Sequence, residues 1–264
     1  MLRDLGKCVD AASCAMTNDV AIAGAQPNSS FTVDVAGAPA NCPAATPNNY
    51  ASYAAMGCDG STTDLSQFTA ANLKNYQMVF FMSPNGTVFS SGGSNGRVGM
   101  AAIQAFVEGG GAFGSVHAAC DLEDMGSWPW YYNTLFGAFF VSHNADNTPG
   151  SVTTEPMYAT HPVMRGLPSP LSAMDEWYYL DRPISAQPGF QVLATLSGAA
   201  PVAGEPAGDM RAVVWIKQFP VAADPTREGR MFNTIRGHNI IRYGETDFRQ
   251  LVHQGILWAT HRLN

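Results

Sequence analysis

The sequence predicts an α/β protein, and three observations predict it. An apolar strand pattern, Met78-Val79-Phe80-Phe81-Met82, leads into an amphipathic helix pattern, and a second apolar strand over 112–116 follows. Strand, helix, strand in that order is a right-handed parallel crossover unit. Both strands are apolar at successive positions rather than alternating, as strands buried on two faces are. The composition agrees: 264 residues, 46% hydrophobic and 11% aromatic, suffice for a sizeable core.

Taken in order, Leu2, Leu5, Val9 and Ala12 recur at helical spacing, so the chain opens in the end of an amphipathic helix. Residues 15–30 read as loop, 31–35 as a short alternating strand, and 37–60 as a long Pro-, Asn- and Gly-rich loop. A short helix over 64–74 precedes Met78, and Ser83-Pro84-Asn85-Gly86 supplies turn chemistry after Met82. Val98, Ala102, Ile103 and Phe106 form one helix face, stopped by Gly109-Gly110-Gly111. Further strands are expected over 151–154, 190–196, 211–217 and 230–235. Phe248, Leu251, Val252, Gly255 and Trp258 mark a C-terminal helix. There is no internal repeat, so one domain is expected over 1–264, with loops near 37–60 and 198–209.

Charge narrows the partners. Only 13% of residues are charged and the net charge is -7, which gives neither a basic footprint for nucleic acid nor a polybasic membrane anchor. No apolar run approaches the roughly 20 residues of a membrane helix. A small molecule is the expected partner, and a homo-oligomer is compatible with the composition. Cys8, Cys14, Cys42 and Cys58 fall in the first quarter, where two disulfides would have three possible pairings. Bridges there suit a secreted or periplasmic setting. Met1-Leu2-Arg3-Asp4 is not the start of a signal-peptide pattern, so localisation stays open.

The candidate site starts at His117, delivered by the second strand among the small residues Ser115, Ala118 and Ala119. Open α/β sheets bind ligands beyond the carboxyl ends of their strands. His143, Asp175, Glu176 and His238 also sit at element ends or turns, and converge there in a doubly wound sheet. Imidazole and carboxylate together hold zinc-like ions, or serve as acid and base near neutral pH. His117, Asp175 and Glu176 are the catalytic candidates; His143, His238 and Glu176 are candidate ligands for a divalent metal, zinc or manganese. No nucleotide cofactor is expected. Asp175 and Glu176 are adjacent, so on an extended segment only one enters the site. Glu176 is favoured as ligand or base, with Asp175 satisfying backbone donors or orienting a histidine. Trp128, Trp130, Tyr131, Trp177 and Tyr178 are candidates for stacking on a sugar, with core packing as the alternative for each ring. His161 before Pro162 reads as a turn residue or a contact, and His253 and His261 as ordinary solvated histidines.

Taken together, Glu108-Gly109-Gly110-Gly111 through His117-Ala118-Ala119, His143, His161-Pro162, Asp175-Glu176-Trp177-Tyr178, Val213-Val214-Trp215, Gly229-Arg230-Met231-Phe232 and Gly237-His238 resemble the trehalose-utilisation (ThuA-like) family. The resemblance spans 64–262, and residues 1–60 form a divergent Cys-bearing part. It implies a flavodoxin-like three-layer sandwich with a mostly parallel sheet, in the class I glutamine amidotransferase-like superfamily. The family's usual first strand, ending in an aromatic-Arg-His turn, is absent, so that strand and one site histidine are expected to be missing. Glutaminases of the superfamily carry a catalytic cysteine at the nucleophile turn, a place that His117 takes here. A histidine cannot form the thioester, so amidotransferase activity is not expected. The resemblance implies sugar metabolism: an enzyme acting on a trehalose-type or keto-sugar substrate by acid–base chemistry, with metal assistance as an option. The alternative is a non-catalytic carbohydrate-binding or accessory module derived from such an enzyme.

Overall fold

Apolar residues at 78–82 and 112–116 pair as adjacent parallel strands, in register from Met78 opposite Ala112 to Met82 opposite Val116. The computed structural model describes residues 65–199 and 211–263. The expected N-terminal helix, the strand at 31–35, the loop at 37–60 and the Cys8, Cys14, Cys42 and Cys58 group lie outside these residues.

A short helix, α1 (Ala70–Leu73), is capped by the Thr69 side chain on the Asn72 N–H. Strand β1 (Met78–Met82) is followed by helix α2 (Gly93–Glu108) and strand β2 (Ala112–Val116). The expected glycine stop forms: Gly109 donates to Ala105 O, and Gly110 turns the chain at φ +98°. Then come β3 (Phe140–His143), β4 (Thr148–Thr154), β5 (Leu171–Asp175), β6 (Tyr178–Leu180) and β7 (Phe190–Ser197). The chain closes with β8 (Ala212–Val221), β9 (Asp224–Thr234) and helix α3 (Thr246–Ala259).

Seven strands form one sheet in the order β1-β2-β9-β8-β7-β4-β5, and β3 pairs with β6 separately. The sheet is mixed, which corrects the expectation of a mostly parallel one. β1, β2 and β9 are mutually parallel, whereas β9-β8, β8-β7, β7-β4 and β4-β5 are antiparallel. Parallel neighbours need a crossover of a dozen or more residues. Only Ala222 and Ala223 separate β8 from β9, so that pair is a hairpin. Residues 212–216 are nonetheless all buried, which gives an antiparallel strand the apolar pattern of a parallel one.

At the parallel end a helix covers each face. Phe113 packs in the cluster that holds Ile103 and Val107 of α2, while Val116, pointing the other way, packs on Phe248, Val252 and Ile256 of α3. Helix α3 is buried almost all round, because Gln250 and Gln254 bind the carbonyls of Arg165 and Val163 on its far side. His253 is therefore fully buried, not solvated as its helix position suggested. Among the described residues no helix is long and apolar enough to cross a membrane.

The strand directions place the site. Four antiparallel steps, β9 to β8, β8 to β7, β7 to β4 and β4 to β5, return β5 to the direction of β2 and β9, so all three end on one edge. Four strand spacings of a flat sheet would separate β9 from β5 by about 19 Å. Yet the Gly237 N–H, just beyond β9, donates to Asp175 Oδ2 at 2.9 Å. The sheet curls until its far strand meets its parallel end.

Candidate functional site

His117 follows the last residue of β2 and adopts φ 50°, the left-handed region that non-glycine residues seldom enter. Such a residue costs about 1–2 kcal/mol and persists where surrounding structure fixes it. Its Nδ1 donates to the Ile235 carbonyl at 2.9 Å, which leaves Nε2 facing inward. That nitrogen meets Glu176 Oε2 at 3.2 Å and His238 Nδ1 at 3.1 Å. His238 Nδ1 is also 3.1 Å from the same Glu176 oxygen. His143 Nδ1 lies 3.0 Å from the other oxygen, Oε1, and 2.8 Å from the Asn144 carbonyl.

Two carboxylates do different work here, as their adjacency predicts. Asp175 is fully buried and accepts three backbone N–H groups: Glu176 at 3.0 Å, Gly237 at 2.9 Å and His238 at 3.1 Å. It holds the loop that carries His238 through the backbone N–H groups of Gly237 and His238. Gly237 sits at φ +112°, and a Cβ there would approach the Phe248 ring to 2.9 Å. Glu176 turns into the imidazole cluster. Burial opposes its charge, but the His117 hydrogen bond and the charges of His238, His143 and His117 outweigh burial and hold the carboxyl below its usual range.

A further layer straps the His238 loop. Asn239 Nδ2 donates to Asp146 Oδ2 at 3.1 Å, and Arg242 reaches Asn147 Oδ1 at 2.7 Å. Glu245 bridges Arg242 and the buried Arg236, which also bonds Asp247.

The structure brings His117, His143, Glu176, His238 and Tyr178 together; the Tyr178 ring lies 4.5 Å from that of His117. The other aromatic candidates go elsewhere. Trp128 and Tyr131 are buried and stack on each other at 4.7 Å within a cluster that includes Phe81 and Phe136. Their polar tips serve the fold, as with the Tyr131 hydroxyl, which donates to Ala119 O at 2.7 Å. Trp177 is buried and donates to Thr148 O at 2.7 Å. Trp130 is half-buried and stacks at 6.1 Å on Trp128. Trp128, Tyr131 and Trp177 thus lie in the core, the packing alternative for each ring, and Trp130 packs against it.

His161 packs against Trp258 and accepts the Val163 N–H, apart from the cluster. Burial, followed by the charges of Arg230 and Arg165, pushes its pKa down to about 4. His261 is exposed and contacts Glu228 O. Cys120 is fully buried against His117 O, and burial raises its thiol far above the range of a nucleophile. Sequence reading passed over Asp121, which ends the helical turn begun by His117. A carboxylate four positions after the histidine was its signal.

The family model described as ThuA, trehalose utilisation, matches residues 36–259. The chain belongs to the ThuA family. Among solved structures, a ThuA-like protein from Bacteroides uniformis is 23% identical with a TM-score of 0.56, over 75% of each chain. One from Parabacteroides merdae is 19% identical with a TM-score of 0.51, again over 75% of each chain. At these identities the likeness is one of fold. No curated protein sequence matches the chain. The ThuA assignment links the chain to sugar metabolism, as the motif resemblance implied.

Proposed function

We propose that this ThuA protein is an enzyme acting on a trehalose-type or keto-sugar substrate by acid–base chemistry at His117, Glu176, His238 and His143, with a divalent ion held in the same cluster. The observation that carries the reading is an electron-rich triangle. His117 Nε2, Glu176 Oε2 and His238 Nδ1 lie 3.1–3.2 Å apart, while the other Glu176 oxygen faces His143. Atoms so close are held together either by hydrogens on the imidazole nitrogens or by an ion seated among the three.

The donor set fits a metal. Two imidazoles and one carboxylate are a familiar catalytic zinc set, and tetrahedral zinc with such ligands has edges of about 3.3 Å. His117, Glu176 and His238 would hold the ion, with the His143 imidazole on the free Glu176 oxygen fixing the carboxylate. When bound, the ion would supply Lewis-acid polarisation of a sugar oxygen. The chain's own groups divide the remaining work. His117 is buried and pinned by Ile235 O, so it serves as a fixed member. The side chain of His143, outside that set, is 45% exposed and can exchange protons with a substrate and solvent. Asp175 sets the position of His238.

The finer reading of the fold goes with this: β1, β2 and β9 between α2 and α3 correspond to the flavodoxin-like three-layer part, and β8, β7, β4 and β5 extend it.

The test is incubation with trehalose, glucose and fructose in D2O, with and without zinc or manganese, followed by NMR. The expected result is altered sugar signals or deuterium exchange beside a carbonyl, abolished in His117→Ala and Glu176→Gln. Purified protein is expected to carry about one equivalent of metal, lost in His117→Ala and His238→Ala. A sugar that binds but stays unchanged would overturn the enzymatic reading in favour of an inert carbohydrate-binding module.

A further inference from the structure

Beside the imidazole cluster stand two polar groups that the protein itself does not use. Asp121 closes the turn His117–Asp121, and its main chain is fixed by the Gly86 N–H on its carbonyl at 3.0 Å. The side chain is half-buried, and among the described residues its carboxylate has no hydrogen-bond donor. Burial raises its pKa, and the charge of His143, the second influence, only partly restores it. A carboxylate placed in partial burial with no donor is missing its partner.

Tyr178 shows the same deficit from the opposite side. Only 5% of the residue is exposed. Its ring is held 4.5 Å from both the His117 and Phe140 rings. Its hydroxyl has no hydrogen-bond partner among the described residues, yet is not one of the sealed, unsatisfied atoms of the interior. The hydroxyl of this fixed ring therefore opens onto accessible space. A phenol hydroxyl can both donate and accept. Asp121 closes the turn that begins at His117, and the Tyr178 ring packs on the His117 ring, so both groups flank that histidine.

We propose that Asp121 and Tyr178 form a subsite for the adjacent hydroxyls of a polyol ligand, next to the His117–Glu176–His238 triangle. Two neighbouring hydroxyls donate to the two Asp121 oxygens, and the Tyr178 phenol donates to a third oxygen. A site built to pair with hydroxyls rejects analogues that lack them, because its own polar groups would be left unpaired. The inference rests on the sugar reading above and extends it to named anchoring residues outside the triangle.

The test is calorimetric titration of the zinc-loaded protein with trehalose, glucose, fructose and sorbitol, for wild type, Asp121→Asn, Asp121→Ala and Tyr178→Phe. Wild type is expected to bind at least one of these sugars. Asp121→Asn and Asp121→Ala should weaken that binding by about tenfold or more, and Tyr178→Phe by several-fold, each group contributing one or two hydrogen bonds. Zinc stoichiometry and Tm should stay at wild-type values in Asp121→Asn and Tyr178→Phe. Wild-type sugar affinity in both Asp121 variants would overturn the subsite while leaving the sugar reading intact. Loss of zinc together with sugar in Asp121→Asn would overturn it too, since Asp121 would then act through the triangle. A wild type that binds none of the four sugars would remove the sugar reading itself, and the subsite with it.

Discussion

Asp175 and His238 meet through main chain: the His238 N–H donates to Asp175 Oδ1 at 3.1 Å across 63 residues of sequence. The same carboxylate takes the N–H groups of Gly237 and Glu176. One buried charge thus sets the relative placement of two site residues, Glu176 and His238, that come from opposite ends of a curled sheet.

Asp175→Asn should show this coupling. An amide keeps the shape but loses the charge and presents donors where N–H groups already point. Hydrogen bonds to a charged group contribute about 1.5–3 kcal/mol, so stability should fall by about that much. Affinity for the divalent ion proposed at the triangle should fall about 10–100-fold, as for other groups that orient metal ligands. Thermal unfolding and competitive zinc titration measure the two effects. Wild-type zinc affinity in this variant would refute the positioning role.

Glu176 gives a pH signature. Its folded pKa lies below the ordinary value of 4.5, so its charge stabilises the fold above that pH, and the contribution is lost as pH falls through the lowered folded value. The Tm difference between wild type and Glu176→Gln should be largest near neutrality and shrink below about pH 4.5. A difference that grows on acidification would contradict the sign.

His161 behaves in the opposite chemical sense and reaches the same direction. Its pKa falls from 6.5 to about 4 on folding, so it stays neutral while the unfolded chain takes up a proton. Stability should decline from pH 6.5 towards about pH 4 and level off below it. His161→Asn, which retains an acceptor for Val163, should flatten that part of the profile in pH-dependent thermal melts.

Trp128→Ala separates core from site. Trp128 lies between Phe89 at 5.4 Å and Tyr131 at 4.7 Å. Its removal should cost about 3–5 kcal/mol of stability. Zinc stoichiometry at a temperature where the variant is folded should be unchanged. Chemical denaturation and metal analysis read these out, and loss of metal without loss of stability would count against a packing role.

How much of this was legible in the sequence varies with the physics involved. β1, α2 and β2 were readable because periodicity, a glycine stop and turn chemistry all act within a few residues. The five chemical side chains were legible as element ends, and four of them, His117, His143, Glu176 and His238, meet at the cluster. Sheet direction was not legible: Val213, Val214, Trp215 and Ile216 are buried on both faces in an antiparallel strand, through neighbours that local sequence does not name. β5 was missed because Ser172 and Met174 are exposed on an edge strand that shows no continuous apolar run. The fate of the tryptophans depends on long-range packing, and a ring that stacks in a core reads like one that stacks on a ligand. His253 was misjudged for the same reason, since the cover over the outer face of α3 comes from residues 163–165.

The backbone at position 117 also limits which chemistries this scaffold can adopt. With φ at 50°, the position admits glycine, asparagine, aspartate or histidine far more readily than a β-branched or bulky aliphatic residue. Variation there is filtered by conformation before selection acts on reactivity. The short menu that passes, an imidazole, a carboxylate, an amide or nothing, makes this turn a switch between an armed and a disarmed pocket. His117→Gly should consequently fold more stably than His117→Ala, even though both have lost the ring.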